Sequence, residues 1–225
     1  MKVIAIIPAR GGSKGIPRKN LVNFLGKPLM QWSIEAALKS KYITDVVVSS
    51  DDDEILNEAQ KNKEVIAIKR PIKLAQDNSK TEPVLTHVLE SLKEIKYDYL
   101  ILLQPTSPLR TSKDIDFAFE KLLNSKATSL ISVCELEHHP YKSFNIDEKG
   151  YLQGIINNDF PFYPRQSLPK TYRANGAIYI IKVNDFLNKN TLLTDKTIHF
   201  EMSVETSLDI DTLEDLKLAS KLKNI

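Results

Sequence analysis

The stretch Val3-Ile4-Ala5-Ile6-Ile7-Pro8-Ala9-Arg10-Gly11-Gly12-Ser13-Lys14-Gly15-Ile16-Pro17-Arg18-Lys19-Asn20 carries the reading of this chain. Its first five residues are all apolar and mostly β-branched, the pattern of a central strand covered on both faces. The apolar run ends at Pro8. Between Ala9 and Asn20 come three glycines (Gly11, Gly12, Gly15), four basic side chains (Arg10, Lys14, Arg18, Lys19) and no acid. Glycine lets backbone approach a ligand closely, and backbone N–H groups with Arg and Lys form a cradle for phosphate charge. A loop directly after a central strand also stands where open α/β sheets receive ligands. The segment has neither the spacing of a P-loop nor that of G-x-G-x-x-G. A solvated basic loop would use the same residues, but four crowded cations repel one another, so a bound anion is the simpler account and a triphosphate fits best.

Working outward, further β-branched runs alternate with helical periods, as in a mostly parallel sheet flanked by helices. Strands are expected at Val46–Ser50, Val65–Ile68, Tyr99–Leu103, Ser129–Val133 and Ala177–Ile181, and helices near 30–40, 52–61, 84–94, 112–124 and 213–222. Ser112 reads as the N-cap of the fourth helix. Residues 140–173 break the rhythm: they hold four of the 11 prolines, several aromatics and no helical period. That is too long for an ordinary loop, so it reads as an inserted arm with strands of its own. Residues 184–203 read as irregular. The whole is one α/β domain, 1–225, with the arm at about 140–173.

Composition narrows the class. The 225 residues are 42% hydrophobic and 27% charged, ordinary globular values. No apolar run is long enough for a membrane helix, and the N-terminus lacks the h-region of a signal peptide. The single cysteine, Cys134, suits a reducing cytoplasm. A net charge of +2 excludes a nucleic-acid-coating protein, so the electrostatics that matter are local.

An acidic counterpart to the loop comes late, at Ser207-Leu208-Asp209-Ile210-Asp211. In an extended segment Asp209 and Asp211 point to one face, and two adjacent carboxylates repel unless a cation or proton lies between them. Such oxygen ligands suit Mg²⁺, which completes its shell with phosphate and water. The residues also fit a turn in which Asp211 caps the last helix; beside a polycationic loop the metal reading is the better one. Asp51-Asp52-Asp53-Glu54 reads as the start of a helix, where acids complement the dipole. Adjacent His138 and His139 would point opposite ways on an extended chain, a poor zinc site.

These motifs, with Leu103-Gln104-Pro105-Thr106-Ser107-Pro108-Leu109-Arg110, Glu137-His138-His139-Pro140 and Arg173-Ala174-Asn175-Gly176-Ala177-Ile178-Tyr179, closely resemble the acylneuraminate cytidylyltransferases, the CMP-sialic acid synthetases and their bacterial relatives. The resemblance runs from residue 2 to about 220. It implies a nucleotide-diphosphosugar-transferase-like fold, a homodimer, and transfer of CMP from CTP to the C2 hydroxyl of a nine-carbon 2-keto sugar acid with release of pyrophosphate, for surface glycan synthesis. It implies that Arg10, Ser13, Lys14, Lys19 and Asn20 hold the triphosphate, with Arg70 and Thr81 beside the cytidine. It assigns Gln104, Arg173, Asn175 and Tyr179 to the acid pocket, and Lys142 and Arg165 to an arm that reaches the partner subunit's site. Asp209 and Asp211 would hold Mg²⁺, with Mn²⁺ as a substitute, and act with Lys19 in catalysis; no histidine stands out as a base.

The expected acid is N-acetylneuraminate or a close analogue. Where sialic-acid-using relatives often carry adjacent aromatics, this chain has Leu192 and Leu193. Leucines cannot hydrogen-bond a terminal hydroxyl, so a methyl-ended acid such as legionaminic acid ranks close to sialic acid, with pseudaminic acid behind. The rivals are a 3-deoxy-octulosonate cytidylyltransferase, a sugar-1-phosphate nucleotidyltransferase, and a nucleotide-binding module without turnover. A damaged loop or a missing Asp pair would mark the last; both are intact.

Overall fold

Strand β1 (Val3–Pro8) is buried along its first five residues and lies inside a seven-stranded sheet in the computed structural model, which describes residues 1–223. Its alternating side chains feed two different cores, as the two-residue period of a strand requires. Val3, Ala5 and Ile7 face Met30, Ile34, Ile115 and Phe119 on one side of the sheet, and Ile4 and Ile6 face Leu85, Val88 and Phe186 on the other. The uninterrupted apolar run is therefore the consequence of helices on both faces.

Along the chain β1 is followed by a two-rung hairpin, β2 (Asn23–Phe24) and β3 (Lys27–Pro28), then α1 (Leu29–Leu38), β4 (Asp45–Ser50), α2 (Asp53–Ala59), β5 (Val65–Lys69), α3 (Thr81–Ser91), β6 (Tyr99–Leu102), α4 (Ser112–Leu123) and β7 (Ser129–Glu135). The arm carries β8 (Phe144–Ile146) and β9 (Leu152–Gly154), and the chain closes with β10 (Tyr172–Lys182), α5 (Val183–Lys189), β11 (Thr197–Glu201) and α6 (Leu213–Lys223). The sheet order is β11-β7-β10-β6-β1-β4-β5. Four of its pairings are parallel; β10 alone runs antiparallel, between β6 and β7. A mostly parallel sheet flanked by helices is thus the architecture.

Several boundaries differ from the sequence reading. Thr111, not Ser112, caps α4: Thr111 Oγ1 accepts from the Asp114 amide while Asp114 accepts from the Thr111 amide, a reciprocal capping box. Residues 184–203, read as irregular, hold most of α5 and the edge strand β11, whose half-exposed residues lack a run of buried positions. Residues 140–173 do carry their own antiparallel pair, β8 with β9, together with three short 3-10 turns and stacked Tyr141 and Phe160. His139 serves that arm structurally. Its Nδ1 accepts from the Tyr141 amide, and its Nε2 bonds the Pro169 carbonyl.

A third, smaller core lies beneath the basic loop, where Ile16, Phe24 and Leu29 pack with Leu109, Ile210 and Ala219. It joins the loop after β1 to the 209–211 segment and to α6, nearly the whole chain apart in sequence.

Candidate active site

The loop after β1 is held from below and behind. The Gly11 amide donates to Asp51 Oδ1 at 3.0 Å, and Asn20 Nδ2 donates to the Arg10 carbonyl at 2.8 Å. Asp51 also stands 3.8 Å from the buried Arg70 guanidinium. The rest of the acidic run does what the sequence suggests: Asp52 accepts from the Glu54 and Ile55 amides to cap α2, and Asp53 and Glu54 stand in its first turn. Arg18 leaves the loop's interior: it takes a left-handed backbone (φ 53°) and pairs with Asp52 and Glu54. It is therefore not one of the cations that face an anion.

Five other residues of the loop border a cleft of about 270 Å³. Arg10, Gly12, Ser13, Lys19 and Asn20 form one wall, Arg70 and Lys80–Thr81 another, and Gln104–Thr106 the floor. Burial lowers the pKa of Arg70 against the opposing field of Asp51. Lys14 lies outside these walls, largely exposed, and shares Asp77 with Arg10: Lys14 Nζ is 3.1 Å and Arg10 Nη1 2.9 Å from its two oxygens. Those two cations hold the Asp77 carboxyl below the usual range, Lys14 more than Arg10.

Asp209 lies behind that floor, and Asp211 stands beside Lys19. The Ile210 amide donates to the Thr106 carbonyl, and Asp209 bonds the Thr106 side chain. Lys19 Nζ sits 2.7 Å from Asp211 Oδ1 and 2.9 Å from the Ile210 carbonyl, so one lysine touches both the loop's cleft and the acidic pair. Burial pushes the Asp209 pKa up, helped by Asp211, while the Thr106 bond and Lys19 oppose it. Asp209 Oδ1 is buried with no hydrogen-bond partner. A buried carboxylate oxygen left unpaired is costly, and a cation is one partner that would satisfy it. Among the described residues no group of three or more His, Cys, Asp or Glu side chains gathers. Two carboxylates are what Mg²⁺ asks of a protein when phosphate supplies the rest. Asp211 is not the cap of α6; Thr212 Oγ1 accepts from the Asp215 amide, and Asp215 accepts from the Asp211 and Thr212 amides.

Beyond Lys80, Thr81 and Gln104 opens a second cleft, of about 460 Å³, walled by Glu82, Leu102, Ile131, Tyr179 and Thr191–Leu193. The Tyr179 hydroxyl has its pKa raised by burial and by the nearby Asp209. Asn175 does not face this cleft. It is buried, with Oδ1 accepting from Ser132 Oγ at 2.6 Å and Nδ2 donating to Ser207 Oγ at 2.8 Å. It links β7, the irregular part of β10 and the residues before Asp209. Arg173 is exposed on β10 and borders neither cleft. Lys142 and Arg165 are exposed on the arm; Arg165 donates to the Leu136 carbonyl within a separate arm cleft.

Three contributors carried no role at the site in the sequence reading. Asp51 and Asp77 could have been sought as acids answering the loop's charge, but nothing in their neighbourhood marks them. Arg110 is fully buried without a carboxylate in ion-pair reach among the described residues, and burial lowers its pKa to about 9. Its guanidinium donates to the Gln104 and Ala177 carbonyls and to Ser33 Oγ, pinning the floor of both clefts to β10 and α1.

A polycationic cleft at the strand ends of an α/β sheet, two carboxylates bonded to its lining residues Lys19 and Thr106, and a second cleft opening from it are the features of a nucleotidyltransferase. The chain belongs to the cytidylyltransferase family, whose model matches residues 4–224. It is 33% identical to a pseudaminic acid cytidylyltransferase of Campylobacter jejuni over all of this chain and 97% of that one. It is 31% identical to a CMP-N,N'-diacetyllegionaminic acid synthase of Legionella pneumophila, again over 100% of this chain and 97% of the relative. An N-acylneuraminate cytidylyltransferase of Streptococcus agalactiae is 35% identical over 96% of the chain, which spans 52% of that longer protein. Among solved structures, a CMP:2-keto-3-deoxy-manno-octonic acid synthetase complexed with CTP matches with a TM-score of 0.75 over 100% of this chain and 99% of that one, at 19% identity. That likeness shows the shared fold. No helix is long and apolar enough to cross a membrane among the described residues.

Proposed function

We propose that this chain transfers CMP from CTP to the C2 hydroxyl of a nonulosonic acid. The observation that carries the reading is the pair of clefts meeting at Lys80, Thr81 and Gln104, one polycationic and one walled by Tyr179 and leucines. The relatives named for pseudaminic, legionaminic and acylneuraminic acids support the substrate class and differ over the member.

In this reading Arg10, Ser13, Lys19 and the amides around Gly12 receive the triphosphate, and Arg70 and Thr81 flank the cytidine. The loop cations oppose the charge that grows on the leaving pyrophosphate, which is electrostatic stabilisation in a fixed site. Gln104, held at its carbonyl by Arg110, and Tyr179 orient the acid. Asp209 and Asp211 would hold Mg²⁺, which when bound supplies Lewis-acid activation of phosphate and hydroxyl oxygens. Asp77 must release Arg10 and Lys14, or share them, as phosphate arrives.

Leu192 and Leu193 border the acid cleft with Ile131 and Leu102, an apolar wall that offers a terminal hydroxyl nothing. That favours a methyl-ended acid. Pyrophosphate release from CTP and Mg²⁺ should be measured with sialic, legionaminic, pseudaminic and octulosonic acids and a chelator control. The expected result is a chelator-sensitive signal with a nine-carbon, methyl-ended acid. Silence across the panel with CTP still bound would sink the reading.

The arm's exposed apolar side chains support a homodimer, and the single cysteine suits work in a reducing cytoplasm. Ile146, Tyr151, Leu152, Ile156 and Phe162 are more than half exposed on it, a larger apolar display than a monomer usually presents. The protein is expected to run at twice its chain mass in light scattering, and Phe162→Asp to halve that mass. A monomeric wild type would refute the dimer and the reach of Lys142 and Arg165 into a partner's site.

A further inference from the structure

We propose that Asp77 is a built-in competitor for the phosphate site: it latches residues 71–79 over the nucleotide cleft before CTP binds, yields Arg10 and Lys14 to the triphosphate, and reclaims them as pyrophosphate leaves. The inference rests on the reading of the function above and adds to it a residue that governs how tightly the phosphate chain is held.

Residues 71–79 form a strap between β5 and α3, and none of them is fully buried. Leu74, Gln76, Asp77 and Ser79 border the nucleotide cleft. The strap is closed on itself. The Leu74 and Ala75 amides donate to the Pro71 and Ile72 carbonyls, the Ser79 amide to the Gln76 carbonyl, and the Gln76 amide to Ser79 Oγ, which in turn donates to the Lys73 carbonyl. Among the described residues, every hydrogen bond and ion pair from the strap to the rest of the chain runs to the loop after β1. Arg10 Nη1 donates to the Gln76 carbonyl at 3.1 Å and stands 2.9 Å from Asp77 Oδ1, and Lys14 Nζ stands 3.1 Å from Asp77 Oδ2. The strap is thus fastened by two of the loop's own cations.

Arg10, Lys19 and Arg70 each face a carboxylate of the chain, but the three carboxylates are not alike. Asp51 is fixed behind the loop by the Gly11 amide, and Asp211 stands where a metal arriving with phosphate would balance its charge. Asp77 has no partner besides the two cations among the described residues. One carboxylate cannot keep both cations from a triphosphate that brings several charges and is anchored at its base and ribose as well. Once the bond between the α- and β-phosphates is cut, pyrophosphate has lost that anchorage. Asp77 is still tethered beside the cations, at an effective concentration on the order of millimolar. It then competes on better terms. Because the latch stabilises the protein without ligand, it weakens every ligand that needs Arg10 and Lys14 by one common factor.

The test is calorimetric binding of CTP with Mg²⁺, of inorganic pyrophosphate and of CMP to wild type and Asp77→Asn, with melting temperatures recorded to verify folding. CTP and pyrophosphate should each bind the variant about threefold to tenfold more tightly, by a common factor, while CMP, which brings no β- or γ-phosphate, binds both proteins alike. Glu54→Gln removes an equal charge from the outer side of the loop, where Glu54 pairs with Arg18, and should leave these affinities unchanged. A gain in Glu54→Gln as large as in Asp77→Asn would reduce the effect to general electrostatics and overturn the latch. Amide hydrogen exchange over 71–79 should be faster in ligand-free Asp77→Asn than in wild type; equal rates overturn the latch as well. Weaker binding of CTP by Asp77→Asn would show that the carboxylate orders the cations for phosphate instead of opposing it, and overturns the proposal. A wild type that binds neither CTP nor pyrophosphate overturns the functional reading and this inference with it, whereas a wild type that binds both, matched by Asp77→Asn, overturns this inference alone.

Discussion

Asp209→Asn is expected to lower kcat by about a hundredfold or more while leaving CTP affinity nearly intact, and at the same time to raise the melting temperature of the metal-free protein at neutral pH. The two effects share one cause. Asp209 is a carboxyl pushed up in pKa chiefly by burial, with one oxygen unpaired, so its charged form is a cost to the folded state that Thr106 and Lys19 offset in part and a bound cation would offset further. The sign follows from linkage. A carboxyl whose folded pKa exceeds its unfolded value leaves stability untouched below the unfolded pKa and subtracts from it as pH rises through the folded one. Asparagine removes that loss, so the stabilisation should be present at pH 7 and vanish in acid. Added Mg²⁺ should then raise the melting temperature of the wild type and not of the variant. Turnover at the wild-type rate would remove Asp209 from the metal site. A melting temperature that fell at neutral pH would show that the buried carboxylate is satisfied by a group other than a cation.

The features most legible in the sequence are those whose cause is local. The β1 run is continuous because both of its faces are covered, and Arg10, Gly12, Ser13 and Lys19 are near neighbours in sequence because one phosphate chain would pass them. The helices from α1 to α4 follow from period alone, with ends shifted by a few residues; α3 starts at Thr81, ahead of its first fully buried position, Val84. The features that were not legible depend on partners distant in the chain. Arg18 has the same local surroundings as Lys19, yet one pairs with Asp52 and Glu54 and the other with Asp211. β10 is antiparallel because the arm returns the chain to the sheet from the opposite end, which no residue within the strand records. Asp51 reads as a helix-start acid from its neighbours, and its work on the Gly11 amide becomes visible only once β4 lies beside β1.

Gly15→Ala is expected to cost about a hundredfold in kcat/KM, a larger effect than its one methyl suggests. A Cβ on Gly15 would stand 2.1 Å from the Asp211 carbonyl oxygen, a backbone atom that cannot rotate away. The loop and the 209–211 segment would have to part. They are held together from beneath by Ile16 and Ile210 in the small third core and from above by Lys19 Nζ on Asp211 and the Ile210 carbonyl. Parting them separates the cations that would meet the triphosphate from the carboxylates that would meet the metal, and a misplacement of roughly 1 Å is enough for a loss of this size. Gly12 supplies the control: a Cβ there meets nothing within 4 Å, so Gly12→Ala should fold and bind with little change unless the ligand itself needs the space. The comparison should be made on folded material, with circular dichroism and melting temperature recorded beside CTP affinity and pyrophosphate release. If Gly15→Ala folds and keeps wild-type kinetics, the loop and the acidic pair do not need this contact, and the argument that they act as one site loses its structural link.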